Sequence, residues 1–345
     1  DLTASHFVYI QTHKSTKFLS DNATGGDCVS IGIWDNATKT CTLIVDLNET
    51  VQIDSNNITF DGNGHKITGY GTGYGVYVPG RTGVTVKGLT ITNFGEGIYL
   101  RSASGCAIEG NTATANLNGS SYAGGIHLDY STNNRIANNT TSNNTSGYGC
   151  GFSLYYSSGN TLSGNMATSQ KSGFCAWKSS FANVFSGNTA ERNGNGFFLL
   201  GSSYVGSHAD NHYENNTLSN NSTGFFFSNE SYSIFQGNTV SGNEIGVNIR
   251  AGSLYNSFKD NIVRENSVYD IIFSWVGPYY GEFFGVPEET CSNTFENTTG
   301  SGGLPIKYFN RATNLHDETL AGLILCNADN STISNVTING SDTLN

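Results

Sequence analysis

Charge is what this chain has least of. Only 12% of its 345 residues are Asp, Glu, Lys or Arg, about half the usual share. Lys and Arg number 16 against 27 Asp and Glu, for a formal net charge of −11. A phosphate backbone is held by clustered Lys and Arg, and no basic stripe is present, so nucleic acid is excluded as a partner. Proline occurs four times and methionine once. A single Met and no Cys/Met cluster leave Cu(I) without its soft ligands, and no cofactor or metal is expected. There is no unbroken apolar run of about 18 residues, so membrane insertion is not expected. Nor is there an apolar stripe of helical period, and the many Gly and Asn are poor helix formers.

What is abundant is glycine, 43 residues, and a repeat. Asparagine follows a GN, NN or DN pair at Asn111, Asn139, Asn165, Asn188, Asn216, Asn238 and Asn261, with spacings of 28, 26, 23, 28, 22 and 23 residues. Three residues before each lies a large apolar side chain: Ile108, Ile136, Leu162, Phe185, Tyr213, Phe235 and Phe258. A Gly-led pair at spacing two follows, as in Ile98/Leu100, Ile126/Leu128, Phe152/Leu154 and Phe197/Leu199. Spacing two marks a strand with both members on one face. Gly and Asn between strands suit tight corners. A period in the twenties is that of a solenoid. Stacked coils would put the seven asparagines above one another in a ladder of side-chain amides. The expected fold is all-β, a single right-handed parallel β-helix of about eleven to thirteen coils. Residues 1–54 are expected to be an N-terminal cap with the first strands, and 55–345 the solenoid, with an aromatic loop inserted at 275–290.

The segments NNRIANN, GNTLSGN and GNTVSGN, each followed by a Gly-led apolar pair, resemble the repeats of NosD-type right-handed parallel β-helix proteins over roughly residues 55–345. The resemblance implies that fold. It also implies secreted archaeal or bacterial cell-envelope proteins, archaeal sheath and surface-layer subunits among them. Function does not follow from this fold, which hosts lyases, hydrolases, epimerases, tail spikes and structural proteins.

The first residue is Asp, which fits a mature chain after signal removal. Ten N-x-S/T sequons are glycosylation candidates: Asn22, Asn36, Asn48, Asn118, Asn144, Asn221, Asn229, Asn297, Asn330 and Asn339. Secretion to the cell surface is the expectation. Seven cysteines leave at least one unpaired. Cys28 and Cys41 flank a short hairpin and are expected to pair, stapling the cap, and Cys291 with Cys326 is the second expected pair. Cys106, Cys150 and Cys175 are then free or intermolecular, and parity turns Cys175 outward.

Known β-helix chemistries leave little trace. There is no paired-Asp motif with a following His, no Asp-Pro-His, and no obvious pair of facing carboxylates. His127 and Asp129, two apart on the outer face of one strand, are the best catalytic candidates. The same outer face reads Tyr99, Tyr155, Trp177, Phe198, Leu200 and Phe226, an apolar column that marks an interaction face. The last strand, Ile333 to Ile338, alternates as if it could still be paired, with no obvious cap beyond it. With no motif for chemistry, the expectation is a non-catalytic envelope protein that polymerises with copies of itself into a layer, sheath or filament through its β-helix ends and this outward aromatic face. The alternative is a polysaccharide-binding or polysaccharide-active β-helix, a lyase, hydrolase or epimerase, with glycans as partners.

Overall fold

The computed structural model describes residues 16–117, 124–145, 149–201, 208–250, 252–274 and 291–340. The chain winds as a parallel β-helix with three faces. One sheet has eleven strands, mostly six residues long, and the other two have twelve and nine strands of mostly three residues. Strands of successive coils pair in parallel register, Ile98 with Ile126 and Ile126 with Phe152 on the long-strand face. The long sheet begins at Thr16–Leu19, which pairs with Thr50–Ile53. A short helix, Cys28–Ile31, and an antiparallel pair, Gly32–Asp35 with Thr40–Leu43, adjoin it, tied by the Cys28–Cys41 disulfide. After Cys291 the coils continue as three pairs of short strands, and Cys291 is bonded to Cys326. The aromatic segment expected as a loop at 275–290 lies outside the described residues.

Each long strand reads x-Gly-Φ-x-Φ-x, and the glycine is there for want of room. A Cβ on Gly125 would lie 2.4 Å from the carbonyl oxygen of Gly151 on the next rung, and one on Gly97 would lie 2.5 Å from that of Gly125. The two Φ positions point inward. Phe152, Phe174 and Phe197 stack face to face at 4.8 and 4.7 Å, and Phe185, Tyr213, Phe235 and Phe258 form a second column. The third face supplies smaller inward residues, among them Ala113, Ala167, Ala190, Leu218, Val240 and Val263.

Side-chain amides close the corners. Asn165 Oδ1 accepts the backbone N–H of Asn139 at 2.9 Å and its side-chain amide at 3.1 Å. Its own Nδ2 donates to Ile136 O at 2.8 Å and to Asn188 Oδ1 at 3.0 Å. The pattern runs from Asn111 to Asn261. Two more ladders flank it, five residues away on either side in every coil. One runs through Asn134, Asn160, Asn183 and Asn211, the other through Asn116, Asn144, Asn193, Asn221, Asn243 and Asn266 with Gln170 in line. Serine hydroxyls of Ser131, Ser157 and Ser180 form a shorter fourth. Where Ser233 replaces an asparagine, the carboxylate of Glu230 fills the gap. Its Oε1 accepts from Asn211 Nδ2, Tyr213 Oη and Ser233 Oγ at 3.0, 2.9 and 2.9 Å.

Two of the sequons are rungs of these ladders. Asn144 and Asn221 are 0% and 3% exposed with both amide atoms engaged, which corrects their place among the glycosylation candidates. Asn22, Asn36, Asn48, Asn297, Asn330 and Asn339 are exposed, Asn229 is half-buried, and Asn118 lies outside the described residues.

Asn165→Ala leaves several buried groups unpaired and is expected to cost about 3 kcal/mol in urea unfolding. The exposed Asn138, at φ 55°, is a corner residue, and Asn138→Gly is expected to leave stability within about 0.5 kcal/mol. Burial raises the Glu230 carboxyl above its ordinary value of 4.5. The unfolded chain therefore loses this proton first, and stability falls as pH rises from about 4.5 through the folded-state value. Glu230→Gln is expected to stabilise the protein at pH 7 and to have lost that advantage at pH 4, read as urea midpoints at the two pH values.

Candidate functional site

On the long sheet the first, fourth and sixth residues of each strand face outward. Four neighbouring strands, Tyr74–Pro79, Glu96–Arg101, Ile126–Asp129 and Cys150–Tyr155, bring together the titratable groups of this face. Register sets Tyr77, Tyr99, His127 and Ser153 in one column, and Arg101, Asp129 and Tyr155 in another. Tyr77 stacks on Tyr99 at 5.4 Å and Tyr99 on His127 at 5.1 Å, while Tyr74 lies 4.8 Å from Tyr99.

His127 and Asp129 do not bond to one another. Each reaches back one rung. His127 Nδ1 lies 3.1 Å from Glu96 Oε2, and both side chains are about 5% exposed. Tyr99 Oη donates to Asp129 Oδ2 at 2.8 Å. Arg101 lies 3.9 Å from the same oxygen and bonds to Tyr77. Burial first, then the bond to Asp129, holds the Tyr99 hydroxyl well above its ordinary value, so it stays protonated. With Nδ1 turned to the Glu96 carboxyl group, Nε2 is the ring nitrogen left without a partner.

Three polar atoms here are buried and have no hydrogen-bond partner: His127 Nε2, Asp129 Oδ1 and Ser153 Oγ. In a chain that satisfies its corner amides coil after coil, these three atoms on two adjacent rungs make a cluster with unused hydrogen-bonding capacity. Glu96, Tyr74, Tyr77, Arg101 and Ser153 escaped the reading of the sequence. Aligning the x-Gly-Φ-x-Φ-x strands by their glycines, and taking all three outward positions, would have shown them.

The model for the "Right handed beta helix region" family matches residues 31–204, half of the chain. The chain belongs to the right-handed β-helix family. A second model, "Periplasmic copper-binding protein (NosD)", matches residues 145–272, and the repeats are of NosD type. No group of three or more metal-ligating side chains occurs among the described residues, so no residues here fit a copper site. No curated protein matches the chain by sequence. Among solved structures it is similar to the A-module of the Azotobacter vinelandii mannuronan C-5 epimerase AlgE6, at 17% identity and TM-score 0.64, covering 93% of this chain and 97% of that one. The A-module of AlgE4 from the same organism is similar at 14% identity and TM-score 0.60, covering 94% and 96%. These likenesses establish the fold.

They also correct the expectation of a non-catalytic protein. Structures that share this architecture over nearly their whole length are named as enzymes, and the absence of a familiar motif is no ground for denying catalysis. The outer apolar column differs from the expectation too. Tyr99 and Trp177 are 8% and 2% exposed, and Tyr155, Phe198, Leu200 and Phe226 are half-buried. Stacking between rungs, as Phe198 on Phe226 at 4.9 Å, removes ring faces from solvent.

Cys150 and Cys175, expected as free or intermolecular thiols, form a disulfide with Cα atoms 6.1 Å apart. They occupy outward first and fourth positions of adjacent strands, and the pair packs against Trp177. The remaining Cys106 is free and buried, standing where the Asn134 ladder begins. Three disulfides belong to an oxidising compartment, periplasmic or extracellular. Among the described residues no helix is long and apolar enough to cross a membrane. Non-reducing peptide mapping is expected to join Cys150 to Cys175 and to show Cys106 alkylated only after denaturation. In glycan mapping of the protein, Asn144 and Asn221 are expected to be unmodified.

Proposed function

We propose that this chain binds a polysaccharide along the outward face of the long sheet and acts on it by acid–base chemistry at His127 and Tyr99. The observation that carries the reading is the cluster of three unpartnered polar atoms at His127, Asp129 and Ser153. Sugars are dense in hydroxyls that can both donate and accept, which suits an acceptor nitrogen, a carboxylate oxygen and a hydroxyl awaiting partners. The fold shared with mannuronan C-5 epimerases supports a polysaccharide as substrate.

In this reading His127 Nε2 removes a proton, Glu96 holds the ring through Nδ1, and Tyr99, kept protonated beside Asp129, is the acid. Removing a proton from a ring carbon next to a carboxyl group leaves a carbanion. Return of a proton on the opposite face epimerises the sugar, and expulsion of the glycosidic oxygen cleaves the chain. Hydrolysis by two carboxylates is less well served, because Glu96 and Asp129 are committed to His127 and Tyr99. Polymerisation through a bare aromatic flank loses its premise with Tyr99 and Trp177 buried. Export to the cell surface, with glycan on the exposed sequons, fits the disulfides and an extracellular glycan substrate.

The test is a screen of acidic and neutral polysaccharides for new unsaturated ends and for altered sugar stereochemistry. His127→Gln and Tyr99→Phe are each expected to lower turnover by about 10²–10⁴-fold while the protein stays folded at the assay temperature, checked by circular dichroism. Turnover unaffected by His127→Gln, or none on any glycan, would refute the proposal.

A further inference from the structure

The corner after each of five consecutive long strands holds a residue in the left-handed region: Gly80, Ser102, Tyr130, Tyr156 and Lys178. In two successive coils it is a tyrosine, Tyr130 at φ 48° and Tyr156 at φ 47°, and one coil earlier it is Ser102, at φ 54°. A bulky side chain is uncommon there. Both rings stand outside the core, Tyr130 56% and Tyr156 38% exposed, so core burial does not account for them.

The two rings are parallel within 8°, with centroids 4.9 Å apart. That is the spacing of rungs, so the stack runs along the solenoid axis. Tyr155 meets both edge-on, at 84° and 88°, and holds them upright. On the far side of Tyr130 the next rung offers only the exposed Ser102, too short to cover an aromatic face. That face of Tyr130 is therefore left open to solvent. The exposed Arg101 precedes Ser102, and its guanidinium lies 3.9 Å from Asp129 Oδ2.

We infer that Tyr130 and Tyr156 form a stacking subsite for one pyranose ring of the polysaccharide, next to the sugar held at His127. This rests on the function proposed above. A pyranose presents an apolar face of C–H groups to a ring and hydroxyls around its edge. Here an exposed aromatic face lies one rung from the exposed guanidinium of Arg101. A second protein chain is a poorer fit, because a stable interface takes about 800 Å² from each partner and two exposed rings supply a fraction of that.

The experiment compares the whole protein with Tyr130→Asn, which removes the ring and accepts the left-handed backbone more readily. Binding of alginate, polygalacturonate and neutral cello-oligosaccharides is measured by calorimetry, beside thermal unfolding and sedimentation. The expected result is at least tenfold weaker binding of whichever oligosaccharide the wild type holds, with a melting temperature equal or higher. Binding within twofold of wild type would overturn the subsite and leave the proposed function standing. A lower melting temperature would make Tyr130 a structural residue, and a dimer lost on substitution would make the patch a contact between copies, each of which overturns the inference. No binding of any of the three by the wild type would remove the proposed function and the subsite together.

Discussion

A turn of backbone every few residues leaves amides and carbonyls that no strand can pair, and in this molecule the amide of asparagine pairs them. Each Asn side chain takes an N–H from the coil before and returns a donor to that coil's carbonyl. The apolar columns supply most of the burial, but they tolerate Ile, Leu, Phe or Tyr at the same place. The corners tolerate far less, because an unpaired buried polar group costs about as much as several buried methyl groups gain. This makes the fold a consequence of corner chemistry first and of core composition second.

The same constraint explains why the candidate site stands out. Along the corners the ladders are closed from coil to coil, and where one residue departs from the pattern another compensates, as Glu230 does for Ser233. Beside Glu96 and Tyr99 the outer face of the long sheet departs from it with no such compensation. Its carboxylates are spent on orienting a histidine and a tyrosine, and three neighbouring atoms are left over. A solenoid is well suited to this arrangement, since a residue can be set opposite another simply by occupying the same position one coil later.

Much of this was legible from the residues. Spacing two gave the inward pairs, and the GN and NN doublets exposed the central ladder. Five residues to either side stood two more ladders, hidden because asparagine is common throughout, although doublets such as Gly159-Asn160, Asn143-Asn144 and Gly242-Asn243 mark them too. Parity alone turned Cys175, His127 and Asp129 outward, but parity describes one strand. Which outward residue meets which depends on the length of each coil. The coil between Cys150 and Cys175 is 25 residues in separation and that between Glu96 and His127 is 31. That varying length hid the disulfide, the Glu96–His127 bond and the bond from Tyr99 to Asp129. Burial of the aromatic face was hidden for the same reason, since a ring is covered by its neighbour on the next rung.

A rod whose coils touch only adjacent coils has no global knot to hold it, and it comes apart by fraying inward from its tips. The Cys150–Cys175 bond fastens two consecutive coils in the interior, on the strand just beyond the one that carries His127. Unfolding that advances from the far tip meets that rivet before it reaches His127, and the rivet limits the freedom the loosened chain can gain. The half of the rod that holds His127 and Tyr99 can thus outlast the half that does not.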